Sequence, residues 1–242
     1  RQHDVEEDQA AVLLEHCVEL APDFADAWGV LASVRALLLP RDRDVLGSPE
    51  HDAALAAAHR ALELDPDCAQ GFAALSLLKP AFGAHAEKLT LVNEALKRTP
   101  NDPALHVARA AWLYSVGRLR EAARALELAS LLEPLGPAVE GLRASLLSAR
   151  GDVETAREII SAAWARWPDA PFIWYLMWTT LCVAGDLDGA EALARPANVP
   201  RRAVTEADVQ VLRNYVALLR LPPEARAAAC ERALSAAAAG DG

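Results

Sequence analysis

Apolar residues recur at every third or fourth position along most of this chain, in segments of about fourteen residues that turn formers separate. In the segment LREAARALELASLL, for example, Ala122, Leu126 and Ala129 fall on one side of a helix. This spacing is typical of short amphipathic helices that bury one side. The pattern therefore predicts an all-α protein built from many short helices.

Proline and glycine separate the helical segments at a fixed interval. Four prolines lie 34 residues apart: Pro66, Pro100, Pro134 and Pro168. Four glycines follow them by 17 residues: Gly83, Gly117, Gly151 and Gly185. Proline cannot continue a helix, and glycine takes left-handed dihedrals at little cost, so each predicts the end of one helix. Because the proline series and the glycine series share the same 34-residue interval, they predict a repeat of two antiparallel helices.

The first repeat is longer than the others. Pro22 precedes Pro66 by 44 residues, which is one repeat and ten more. We assign the surplus to PRDRDVLGSPE, residues 40–50, which has turn formers at both ends. It predicts a solvated loop inserted between the two helices of that repeat, although such insertions can also carry function.

The period ends after Ala194, where PANVPRR breaks the helical pattern. Thr205 and Asp208 then predict a capped helix start, followed by apolar residues on one face: Val209, Leu212, Val216 and Leu219. A last alanine-rich helix is predicted from about Glu224 to Ala238, after two prolines. We expect these two helices to cap the last apolar face of the repeats.

The residues inside the period resemble the tetratricopeptide repeat family, whose pattern is W-x2-L-G-x2-Y, then A-x3-F, then A and P. Its leading aromatic position holds Trp28, Phe72 and Trp174, whereas His106 and Glu140 depart from it. Its small second-helix positions hold alanine: Ala122, Ala156 and Ala190, then Ala61, Ala95, Ala129 and Ala163. The resemblance implies a right-handed α-solenoid of antiparallel helix pairs. We expect about five repeats over residues 1–197 and a C-terminal capping helix pair of the same solenoid over 198–242.

The resemblance also implies a binding groove, because the second, fifth, ninth and twelfth positions of each repeat face the concave side in that family. The main residues at these positions are Gln70, Ala73, Leu77, Ala104, Val107, Ala111, Tyr114, Ser145, Ser148, Phe172, Tyr175 and Thr179. Members that clamp acidic chaperone tails place Lys, Arg and Asn there, and none of these occurs in this set. Small and apolar side chains instead favour an amphipathic helix or an extended apolar peptide as the ligand.

Aromatic residues concentrate between positions 164 and 178. Trp174 occupies a family core position, and core packing accounts for most of the cluster. Trp164, Trp167 and Trp178 remain candidates for an interface, because interface cores favour tryptophan and tyrosine.

Composition and charge exclude several classes of function. A formal net charge of −10 argues against direct binding of nucleic acid or of an anionic membrane. The most apolar run, FIWYLMWTTLCVA, has thirteen residues, whereas a membrane span needs about 20. The four cysteines are scattered without ligand spacing, which indicates free thiols in a reducing, cytoplasmic compartment. No catalytic, metal or cofactor motif occurs, so we expect neither an enzyme nor a bound cofactor.

These observations predict a scaffold that binds a protein or peptide partner. The chain opens at Arg1 without an initiator Met, and its alanine and arginine content is typical of a GC-rich genome, so we expect part of a larger bacterial protein. Segments such as LAPDFADAWGVLA resemble the repeat regions of bacterial winged-helix transcriptional regulators, which implies a sensory or effector domain as an alternative. A self-association domain that forms a homodimer is the third interpretation.

Overall fold

A computed structural model describes residues 3–39, 45–80, 83–200 and 204–240, with the side chains of residues 3–9, 207 and 233–240 left aside. Within these ranges the chain forms thirteen α-helices and no strand. The helices are α1 His3–Leu20, α2 Ala25–Leu38, α3 Pro49–Leu64, α4 Ala69–Leu78, α5 His85–Arg98, α6 Pro103–Ser115, α7 Leu119–Leu132, α8 Pro137–Ala149, α9 Val153–Arg166, α10 Pro171–Ala184, α11 Leu187–Leu193, α12 Glu206–Leu219 and α13 Pro223–Gly240. The all-α prediction is confirmed.

The chain divides into two compact units, Arg1–Leu146 and Leu147–Gly242, which we call unit 1 and unit 2. The boundary between them falls inside α8. The predicted division at residues 197 and 198 between repeats and cap stays a prediction.

Each proline of the 34-residue series occupies the first position of a two-residue turn between helices. The residue before the proline lies outside the α region, as at Asp65 with φ −140° and ψ 105° and at Glu133 with φ −139° and ψ 82°. Steric contact with the proline ring excludes the α conformation there, so the preceding helix must end. The prolines therefore set the helix ends that the sequence predicts.

The glycine series keeps its backbone conformation but not always its place at a helix end. All four glycines have left-handed φ values, between 74° and 88°. Three of them follow the ends of α6, α8 and α10, whereas Gly83 lies well beyond the end of α4. Helix α4 stops at Leu78 because Pro80 follows, and Lys79 takes an extended φ of −67° and ψ of 149°. The Leu78 carbonyl accepts a hydrogen bond from His51 Nε2 at 3.2 Å, which satisfies this early helix end.

The loop predicted at residues 40–50 ends earlier in the structure than the sequence indicates. Residues 40–44 lie outside the described residues, and 45–48 form a turn in which Gly47 has a φ of 76°. Helix α3 then begins at Pro49, because Ser48 Oγ accepts a hydrogen bond from the His51 backbone N–H at 3.2 Å. A serine N-cap followed by proline at the first helical position is a strong helix start.

The core of unit 1 consists of small clusters, each shared by successive helices. They join α1 with α2, then α2 with α3 and α4, then α4 with α5 and α6, and finally α6 with α7 and α8. Four of the alanines that the repeat pattern marks as small are completely buried in this unit: Ala61, Ala95, Ala122 and Ala129. Their small side chains let neighbouring helices approach closely.

Unit 2 has a core built from α10, α11 and α12. The predicted capping box of α12 is present, since Thr205 Oγ1 accepts from the Asp208 N–H at 3.1 Å and the Thr205 N–H donates to Asp208 Oδ2 at 2.7 Å. Three residues of the predicted α12 face, Val209, Leu212 and Val216, are buried in that core.

Candidate functional site

The predicted groove positions of unit 1 lie along α4, α6 and α8, the first helices of three repeats. They are Gln70, Ala73, Leu77, Ala104, Val107, Ala111, Tyr114 and Ser145. Ala104 is exposed and the other seven are half-buried, so all of them keep some contact with solvent. Leu105, Ala110 and Leu113, which alternate with them on α6, are buried in the core. One side of these helices therefore anchors the fold while the other is accessible.

The accessible side of α6 is apolar and uncharged. Val107, Ala111 and Tyr114 pack at their inner edges against the core cluster shared by α6, α7 and α8. The Tyr114 hydroxyl makes no hydrogen bond with any residue in the described part of the chain. A ligand bound along α6 would therefore contact an apolar surface that packs on the core, with the Tyr114 hydroxyl at the C-terminal end of that surface.

Helices α2 and α4 approach each other closely at one of the groove positions. A Cβ atom added at Gly29 would lie 2.6 Å from Gln70 Cβ and 2.7 Å from the Gln70 carbonyl carbon. Because the second contact is with backbone, Gly29 sets how closely the two helices can pack.

Unit 2 carries the remaining groove positions. Phe172 and Tyr175 on α10 are exposed, and Thr179 is half-buried with its hydroxyl donating to the Leu176 carbonyl at 2.9 Å. Ser148, at the end of α8, is half-buried. That these twelve groove residues contact a ligand stays a prediction.

The aromatic cluster of unit 2 is mostly packed. Trp178 is buried, with its ring centroid 6.3 Å from that of Tyr175 and 5.6 Å from that of Tyr215 on α12. Trp164 packs against the same core, and Trp167 is half-buried beneath the Arg166 guanidinium at 5.0 Å. This environment favours packing over an interface role for Trp178, while Tyr175 and Tyr215 are the rings that solvent reaches.

A buried lysine beside α6 is a feature that the sequence interpretation missed. Lys88 on α5 is only 3% exposed, and its Nζ lies 4.0 Å from the centroid of the Trp112 ring. Burial lowers the pKa of Lys88, while the face of the indole offsets part of the cost of burying the charge. Lys88 occupies the repeat position at which the later repeats have buried alanines. This departure from the repeat pattern could have identified Lys88 from the sequence alone.

Metal ligation and membrane crossing each require a recognisable arrangement of residues. Among the residues that the structure describes, no group of three or more His, Cys, Asp or Glu side chains is placed to hold a metal ion. None of the described helices combines the length and the apolar character that crossing a membrane requires.

Paired helices of about fourteen residues, proline turns at a 34-residue interval and buried alanines at the helix crossings define the tetratricopeptide fold. A tetratricopeptide repeat protein from Thermus thermophilus matches with a TM-score of 0.63 and 20% identity, over 78% of this chain and 99% of that one. One from Parabacteroides merdae gives 0.62 and 14%, over 96% and 89%. PilW, a type IV pilus biogenesis factor, gives 0.58 and 19%, over 87% and 92%. No protein-family model and no curated protein sequence matches this chain.

Proposed function

We propose that this chain is a non-catalytic protein-interaction module, part of a larger bacterial protein of the cytoplasm. It binds an apolar peptide or an amphipathic helix against the first helices of its repeats, and it does not bind nucleic acid directly. The tetratricopeptide fold supports this proposal, because stacked helix pairs offer an extended surface rather than a closed catalytic cleft.

The observation that carries the proposal is the absence of charge from an accessible face. Charged residues make up 24% of the chain and its formal net charge is −10, yet none of the eight groove positions described in unit 1 holds a charged side chain. Packing against the core accounts for part of this, and the uncharged surface that stays open to solvent is what a bound helix or strand would cover. Apolar, partly buried positions of this kind match the anchors of a bound helix or strand.

A selection experiment with a matched pair of substitutions tests the groove. Peptides are selected from a displayed random library on the wild-type chain and then measured against Ala111→Arg and Tyr114→Lys. We expect the selected peptides to be rich in apolar residues and to lose at least about tenfold in affinity for both variants, because a charge would be buried without a partner.

The control is Ala86→Arg, which adds the same side chain at an exposed position of α5. It should bind the peptides as the wild type does, and circular dichroism should show equal helicity for all variants. Equal binding to Ala111→Arg and Ala86→Arg would remove the groove from consideration.

Self-association is a second candidate, which the exposed rings of unit 2 favour. Phe172, Tyr175 and Tyr215 are each close to half exposed, and aromatic side chains of this kind are favoured in interface cores. Sedimentation velocity should then show a concentration-dependent dimer that Phe172→Lys with Tyr175→Lys dissociates. A monomer at all concentrations would exclude this candidate.

The resemblance to winged-helix regulators stays a prediction. It requires a basic winged-helix segment in the full-length gene product, and sequencing that gene checks it directly.

A further inference from the structure

The C-terminal half of α7 and the turn after it expose four leucines. Leu128 is 46% exposed, Leu131 79%, Leu132 42% and Leu135 65%. Leu128, Leu131 and Leu132 are spaced at i, i+3 and i+4, which places them on one side of α7, and Leu135 follows in the turn after the helix. We call these four residues the leucine stripe. It lies on the second helix of its repeat, apart from the groove positions on the first helices.

The repeat itself shows that the fold does not require these leucines. At the corresponding positions one repeat earlier, 34 residues back, stand Glu94, Lys97, Arg98 and Asn101. One repeat later stand Ala162, Ala165, Arg166 and Asp169.

The earlier repeat uses its polar residues for surface ion pairs. Arg98 lies 2.8 Å from Asp67 and 3.1 Å from Glu94, and its guanidinium lies over the Phe72 ring. In the repeat that contains α7, leucines replace these polar residues and expose apolar surface to water. Contact with solvent alone does not explain this unfavourable exposure.

Two arginines continue the same side of α7 toward its N-terminus. Arg120 and Arg124 are exposed and lie eight and four residues before Leu128, and so two turns and one turn earlier. Arg120 makes no ion pair or side-chain hydrogen bond with any described residue. Arg124 interacts through its charge with Glu121, whose pKa is lowered mainly by its hydrogen bond with Arg118 and also by Arg124. Glu121 lies on the same side, seven residues before Leu128, and is paired with Arg118. The N-terminal end of this side therefore keeps a net positive charge and the C-terminal end is apolar, in a protein whose formal net charge is −10.

We propose that the leucine stripe, with Arg120 and Arg124, binds an amphipathic helix of a partner protein that is acidic at one end. Its apolar side would cover the leucines, and its carboxylates would meet the two arginines. A second copy of this chain fits less well. A two-fold arrangement that matches the two leucine stripes places each arginine beyond the end of the other α7, with no acidic residue of that helix opposite it.

The probes are two synthetic amphipathic helices of about five turns. Both carry leucine at i, i+3, i+4 and i+7, and one terminal turn holds three glutamates in the first peptide and three lysines in the second. Fluorescence anisotropy with the full chain should show that the glutamate peptide binds at least about tenfold more tightly. Arg120→Glu with Arg124→Glu should reverse this order, and an unchanged order would overturn the proposal.

The apolar contribution is tested by giving the stripe the residues of the preceding repeat, as Leu131→Lys, Leu132→Arg and Leu135→Asn. Because the fold already accepts these residues one repeat earlier, the triple variant should keep its helicity. It should lose at least about tenfold in affinity for the glutamate peptide, whereas Ala86→Arg, at an exposed position of α5, should bind it as the wild type does. Loss of binding in Ala111→Arg alone would assign the peptide to the groove and overturn the proposal for α7.

Two further outcomes would identify another occupant and also overturn the proposal. In one, sedimentation shows a wild-type dimer that the triple variant dissociates, which would identify a second copy. In the other, vesicles of phosphatidylglycerol recruit the wild type but not the triple variant, which would identify a membrane surface.

Discussion

Trp28 and His106 stand at the same position of two repeats, and each donates a ring N–H to the carbonyl of the proline six residues before it. The Trp28 Nε1 lies 3.0 Å from the Pro22 oxygen, and the His106 Nε2 lies 2.8 Å from the Pro100 oxygen. A carbonyl oxygen only accepts, so the imidazole must carry a proton on Nε2. A residue that departs from the family pattern thus makes the hydrogen bond that ties the first helix to its preceding turn.

Replacing His106 by phenylalanine should destabilise the protein modestly. The His106→Phe variant keeps a ring but loses the donor, and we expect a decrease of about 0.5–1.5 kcal/mol in the free energy of unfolding. The buried Nδ1, which has no hydrogen-bond partner among the described residues, is also removed and offsets part of the loss. Urea unfolding measures the difference. His16→Phe at an exposed position of α1 is the control, and a His106→Phe protein no less stable than this control would contradict the prediction.

A methyl group at Gly29 should separate α2 from α4. Its Cβ would meet backbone and Cβ atoms of Gln70 at 2.6–2.7 Å, and we expect Gly29→Ala to cost about 1–3 kcal/mol. Gly71→Ala is the matched comparison, because the nearest atom is Leu62 Cγ at 2.9 Å in a side chain that can rotate. Thermal unfolding should rank Gly29→Ala as the less stable of the two. The reverse order would show that the close approach of α2 and α4 is not a constraint.

Much of the fold was predictable because proline and glycine act locally. The pre-proline residues lose the α conformation whatever surrounds them, so the 34-residue phase located the turns and the two helix faces. The same reasoning failed at Gly83, because Pro80 ended α4 earlier.

The rest of the fold depends on contacts that the 34-residue repeat does not predict. Trp178 is buried against Tyr215, which lies on a helix outside the repeats, and the sequence offers no way to align that helix. By contrast, Lys88 and the leucine stripe could have been found by comparing each repeat with its neighbours, position by position.

The buried lysine should make stability depend on pH. Burial holds the pKa of Lys88 below its ordinary value of 10.5, so the unfolded chain binds this proton more tightly than the folded one. The wild type should therefore gain stability as the pH rises from the folded-state pKa toward 10.5. Lys88→Met lacks this dependence and should be the more stable protein at neutral pH, by an amount that shrinks as the pH rises.

Urea unfolding of both proteins at several pH values measures that difference. Lys97→Met, which removes an exposed lysine of the same helix, controls for the general loss of a positive charge. A difference between Lys88→Met and wild type that stays constant with pH would contradict the prediction.

The cysteines should react in a defined order. Burial raises the pKa of Cys182 to about 11 and also raises that of Cys68, whereas Cys230 is exposed on α13. Because the thiolate is the reactive form, iodoacetamide at pH 8 should modify Cys230 well before Cys68 and Cys182. Peptide mass spectrometry over time measures the order, and labelling in denaturant provides the reference. Equal rates in the folded protein would show that these two thiols are not protected.

The clusters of unit 1 have a consequence for how the chain folds. Each draws its buried residues from at most three successive helices, so the segments that must meet are close in sequence. Short closures cost little chain entropy, which favours rapid folding from several starting points. Local opening can then release one cluster while its neighbours stay intact, and amide hydrogen exchange in unit 1 should proceed in steps, one helix pair at a time.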